Sequence, residues 1–128
     1  MSIEPTDEQL AALVERDGGG PINMLNLLKF KDLATYPDGS DADLSGRDAY
    51  LRYGVKVAEL ITALGGAFVF SSEANTLVVG QSDLDWDMVV IVNYPSVQAF
   101  LEMTESQAYQ DLYVHREAGL ESQILLQC

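Results

Sequence analysis

His115 is the only histidine in the chain. Its imidazole ordinarily changes charge near neutral pH, which suits it to moving protons as a general acid or base. A lone imidazole with no cysteine beside it makes a poor transition-metal site, because such sites draw on two or more His or Cys ligands. No metal and no cofactor is therefore expected. Arg116 follows directly and carries a planar guanidinium that can grip a carboxylate or pair with one of the chain's 20 acidic side chains. Asn23, Asn26 and Asn93 interrupt apolar stretches. A buried amide is costly unless hydrogen-bonded, so each either lines a cleft or caps a strand end.

The candidate set is thus His115 as a catalytic acid or base, with Asn23, Asn93 and Arg116 as ligand-binding residues. Each has a plain structural alternative. His115 sits near a helix C-terminus, where the dipole favours an imidazole. Arg116 would serve in an ordinary ion pair. Tyr50 and Tyr53 share a stripe with core residues, and packing is their simpler role. Asp83, Asp85 and Asp87 alternate around Trp86 but lack the mid-loop glycine and closing glutamate of a calcium loop, so they read as a solvated turn. The chain contains no glycine-rich phosphate loop, nucleophile elbow or HExxH.

These side chains must be positioned by a regular series of elements. Thr6 and Gln9 form a capping box ahead of Leu10, Leu13 and Val14, and Gly18-Gly19-Gly20-Pro21 ends that first helix. Ile22–Phe30 is apolar on both alternating sets and reads as a central strand. Residues 31–46 form a long polar loop, a candidate lid. Arg47–Leu64 is the strongest helix. Tyr50, Tyr53, Val57, Ile61 and Leu64 form its stripe, Leu51 and Val55 widen it, and Gly65-Gly66 stops it. Ala67–Phe70 and Thr76–Val79 read as one broken edge strand. Met88–Tyr94 is a second central strand. Pro95-Ser96 then opens a helix to about residue 104, a second helical piece covers roughly residues 106–118, and Glu121–Gln127 is a last strand.

With 128 residues the chain reads as one domain, residues 1–128, with residues 1–20 as an N-terminal helical extension. A net charge of −13 repels phosphate backbones and anionic lipids, so neither nucleic acid nor a membrane is an expected partner. Cys128 is the single cysteine, which precludes an internal disulfide. The amino terminus lacks a basic flank and an apolar run, and the expected address is the cytoplasm.

After the first helix the order strand, helix, strand, strand, helix, strand is that of a ferredoxin-like α+β fold, βαββαβ, with an antiparallel sheet. Helices cover one face of such a sheet. Yet Leu25, Leu27, Val89, Ile91 and Leu125 hold one strand parity while Met24, Leu28, Val90, Val92, Ile124 and Leu126 hold the other. An uncovered aliphatic face is avoided by soluble monomers, so a homodimer packed sheet to sheet is expected. Cover from the N-terminal helix or the long loop is the alternative.

The second half carries a recognisable series of motifs. Gly65-Gly66 precedes the second strand, Gly80 and Trp86 stand in the hairpin, and Tyr94-Pro95-Ser96 ends a strand. Ser106, Tyr109 and Gln110 follow, then Arg116. Together these resemble the bacterial domain-of-unknown-function family 1330 of the dimeric α+β barrel superfamily. The match runs over roughly residues 65–127, and Met24–Leu28 with Phe30 resembles the first strand of longer members. The resemblance implies a ferredoxin-like protomer, a dimeric α+β barrel and a cleft between sheet and helices. It does not imply a reaction, because the superfamily hosts many. Two functions remain open. One is binding or transforming a small organic molecule in that cleft. The other is a non-catalytic regulatory or stress-related dimer.

Overall fold

The computed structural model describes residues 3–128. Each helix begins where a hydroxyl side chain satisfies backbone N–H groups that the first turn leaves unpaired. In α1 (Asp7–Glu15), Thr6 Oγ1 accepts from Gln9 N at 3.1 Å and Gln9 Oε1 accepts from Thr6 N at 2.9 Å. Ser45 caps α2 (Gly46–Ala63), and Ser96 caps α3 (Val97–Glu105). Ser106 separates α3 from α4 (Gln107–Gly119), ending the one and capping the other.

The strands β1 (Ile22–Phe30), β2 (Ala67–Glu73), β3 (Met88–Tyr94) and β4 (Leu120–Gln127) form one antiparallel sheet in the order β2-β3-β1-β4. β1 and β3 are central, as their two-sided hydrophobicity requires. In both strands the even-numbered residues face the helices. Met24 and Leu28 pack there with Val90 and Val92 against Tyr53, Val57 and Ile61 of α2. Leu28 is wholly excluded from solvent. The odd-numbered set, Leu25, Leu27, Val89 and Ile91, lies on the opposite face and is only half-buried. Cross-strand register places Phe70, Ile124 and Leu126 on that face too, all exposed. Ile124 and Leu126 therefore lie with Leu25 and Leu27 rather than with Met24, and Leu125 lies opposite Asn26 on the helix side, the reverse of the parity expected for β4.

Two sequence expectations need correction. The sheet is open, with β2 and β4 as free edges, and the chain forms no closed barrel. Four strands are too few to curl round and pair first to last. The ferredoxin-like βαββαβ arrangement with an added N-terminal helix stands. In addition, Thr76–Val79 is not a strand. Glu73 already pairs with Met88, where β3 begins, so the ladder has no further register for it. Val78 and Val79 consequently project from the β2–β3 loop, 83% and 87% exposed.

The 31–45 loop is tied down at the end of α4. Lys31 N donates to Gly119 O at 2.8 Å and Thr35 N to Ala118 O at 2.9 Å, while Lys31 Nζ reaches Glu117 O at 3.0 Å. These bonds satisfy the last helical carbonyls, which a helix cannot satisfy internally. Ala34 is buried beside Ala49 and Ala118. No helix among the described residues is long and apolar enough to cross a membrane.

Candidate functional site

The four residues singled out from sequence fall in three separate places. Asn23 and Asn93 are register partners on the bare face, and Asn93 Nδ2 donates to Asn23 Oδ1 at 3.1 Å and to Ile22 O at 3.3 Å. Each amide is thus partly satisfied by the other, beside the exposed Leu126 side of the sheet rather than under the helices.

His115 lies on the outer side of the helix pair. With Leu44, Leu51, Arg52, Val55 and Leu112 it lines an open depression. Tyr36 of the long loop meets it, the phenol oxygen 2.7 Å from His115 Nδ1 and the rings edge to face. Arg52 donates to the same phenol at 3.2 Å and pairs with Asp41 at 2.9 Å. Leu51 and Val55, read from sequence as widening the core stripe of α2, line this outer depression instead and are exposed.

Arg116, one residue and about 100° further round the helix, points the other way. It is 8% exposed and sits between α4 and the sheet. Its Nη2 donates to Gln123 Oε1 at 2.5 Å, and Gln123 Nε2 donates to Asn26 Oδ1 at 2.7 Å. Asn26 Nδ2 in turn donates to Val90 O at 3.1 Å and Met24 O at 3.3 Å. Arg116 Nη1 donates to Tyr113 Oη at 3.2 Å, and the guanidinium stands over the Tyr113 ring. A continuous polar row therefore crosses an otherwise apolar interior, from α4 through β4 to β1.

The row borders a tyrosine cluster. Tyr53 and Tyr109 share a hydroxyl–hydroxyl bond of 3.1 Å, and Tyr50 packs on Tyr53 with centroids 5.2 Å apart. Burial, above all, pushes the Tyr53 and Tyr94 phenols above their ordinary range, and neighbouring phenols add to it. They are neutral hydrogen-bonding groups at physiological pH. The interior thus offers a fixed positive charge, two amides and neutral hydroxyls, which bind and orient. The imidazole that would move a proton is outside it.

Gln123 and Tyr113 were not anticipated from sequence. Asn26 shares the even parity of Met24 and Leu28 and so faces the helices with them, a placement that strand alternation makes legible. Gln123 pairs with Leu28 in the regular part of the β1–β4 ladder and so faces the helices. The shift at Lys29/Phe30 lies between it and the buried Leu120 and reverses the parity that Leu120 would predict for it.

The geometry defines a ferredoxin-like α+β protein with a part-buried polar row between sheet and helices, centred on the buried Arg116. The match to the model of Domain of unknown function (DUF1330) covers residues 40–127, and the chain belongs to that family. Among solved structures, methylated RPA0582 is 37% identical with a TM-score of 0.90, covering 99% of this chain and 93% of that one. RPA0582 from Rhodopseudomonas palustris, a protein of unknown function, is 36% identical with a TM-score of 0.87, covering 98% and 94%. A dimeric ferredoxin-like protein of unknown function from Thermobifida fusca shares the fold at 15% identity and TM-score 0.52, covering 87% and 92%. No curated protein matches the chain.

Proposed function

We propose that this protein is a homodimer that binds a small organic molecule between its sheet and helices, with Arg116 as the anchoring charge. The observation that carries the reading is the part-buried Arg116–Gln123–Asn26 row, in which the charged Arg116 is itself buried. Taking a guanidinium out of water is expensive, and a row of amides that also fixes its direction is the arrangement a ligand-orienting site requires. His115, Asn23 and Asn93 take no part in this site, since they lie on other faces. The homodimer reading rests on the aliphatic bare face of the sheet, which a second copy would cover. The solved relative from Thermobifida fusca is described as dimeric, which agrees.

Native mass spectrometry of protein purified from its own host tests the binding reading. The expected result is a retained small molecule on the parent chain that Arg116→Lys releases. A parent chain that carries nothing, or a molecule that Arg116→Lys leaves in place, would reject it. The second reading is a non-catalytic regulatory or stress-related dimer. It is favoured by the closed packing of Tyr53 on Tyr109, which leaves their hydroxyls bonded to each other.

A further inference from the structure

Arg116 is met from the solvent side by the chain's own amino-terminal segment. Its Nη2 donates to Ile3 O at 2.5 Å, and its Nη1 stands 3.9 Å from a carboxylate oxygen of Glu4. The Ile3 side chain is half-buried and packs against the main core, while the Glu4 side chain is largely exposed. Two consecutive residues therefore present the site with an apolar body, a carbonyl oxygen and a carboxylate.

We infer that residues 3–4 occupy, as a built-in surrogate, the place of a small monocarboxylate with an apolar body, and that such a carboxylate binds Arg116 by displacing them. The inference rests on the binding function proposed above and supplies its ligand class. Charge is the first argument. A guanidinium pairs best with a carboxylate at about 2.7–2.9 Å through two parallel bonds. Glu4 at 3.9 Å falls short of that, and the closer contact is a neutral carbonyl. A ligand carboxylate would satisfy both nitrogens at once. The second argument is attachment. Residues 3–6 precede α1 and belong to no strand, so displacing Ile3 and Glu4 breaks no ladder bond of the sheet. The vacated Ile3 position against the core supplies the apolar subsite.

The test uses phenylacetate as probe on the full chain, by calorimetry and by amide NMR. Ile3→Gly with Glu4→Gln removes the surrogate's body and charge without touching Arg116. Phenylacetate affinity should rise about tenfold, the equivalent of one good charge-assisted contact no longer competed for. In the parent chain, saturating phenylacetate should shift the Ile3 and Glu4 amides toward random-coil positions. Arg116→Lys in the double-variant background should weaken binding by at least the same factor, and 2-phenylethanol, which lacks the charge, should not bind either form. Since Glu4 is exposed, Glu4→Gln alone keeps the test open if the double variant folds poorly, with a smaller rise expected. Equal phenylacetate affinity in parent and variants would overturn the inference, as would binding indifferent to Arg116→Lys. If a host-derived molecule is still released by Arg116→Lys under those outcomes, the surrogate falls and the binding function stands. If no such molecule is found either, both fall.

Discussion

Gly119→Ala and Gly54→Ala should change stability in opposite directions. Gly119 closes α4 where it crosses the start of α2. A Cβ built there would press deep into the Gly46 carbonyl oxygen and stand 2.7 Å from Tyr50 N. Both obstacles are backbone, so neither can rotate away, and the helix ends must part. Gly46 is hemmed in likewise, by the Lys31 and Gly119 carbonyls. Overpacking of this kind costs about 3 kcal/mol, the upper part of the usual range, because no side chain can yield. For a chain of this size that is a fall in Tm of roughly 10 °C. Gly54 lies inside α2, and a Cβ there meets nothing within 4 Å. Alanine at that position removes glycine's helix penalty and should stabilise by about 0.8 kcal/mol. Urea titrations followed by circular dichroism, at one fixed protein concentration because a dimer's stability depends on it, read both values. A Gly119→Ala variant within about 0.5 kcal/mol of the parent, the ordinary scatter of harmless substitutions, would refute the close-approach argument. So would a Gly54→Ala variant as damaged as Gly119→Ala. Arg116 is three residues before Gly119, so the first variant should also loosen the Arg116–Gln123 bond.

Tyr53→Phe deprives the buried Tyr109 hydroxyl of its partner and should cost about 1–2 kcal/mol, seen as a lower urea midpoint at unchanged slope. Alkali should unfold the protein. The Tyr53 and Tyr94 phenols are raised in the folded state, so above the ordinary tyrosine value near 10 the unfolded chain sheds protons that the folded chain keeps. Their contribution is fully present below that pH and is lost as pH rises beyond it, by up to about 2.7 kcal/mol per pH unit for the two. Ultraviolet absorbance should show their tyrosinates appearing only together with unfolding. Light scattering should give twice the 14.0 kDa chain mass at micromolar concentration, and Leu27→Asp should halve it or unfold the chain, because the interface would bury an unpaired charge. A Leu27→Asp protein that stays dimeric would place the interface elsewhere.

Local signals in the chain were enough to define its elements and their order. Hydroxyl caps at Thr6 and Ser96, the glycine stop at Gly65-Gly66 and the two-sided hydrophobicity of β1 and β3 each act over a few residues, so they are legible in one dimension. Strand parity likewise revealed a second apolar face, because side chains alternate strictly along a strand. The tertiary structure alone decided what the polar residues do. His115 and Arg116 are neighbours in sequence, yet a helix turns about 100° per residue and sends one outward to Tyr36 and the other inward to Gln123. The Gln123 contact depends on the register that sets Gln123 opposite Leu28 and so beside Asn26, and the contact from Ile3 joins positions 113 residues apart. Thr76–Val79 has the composition of a strand, but it found no partner once β3 had begun at Met88. Caps and stripes are properties of a segment, whereas a site is made by segments meeting, and that meeting is set by register, helix phase and packing that no single stretch of chain contains.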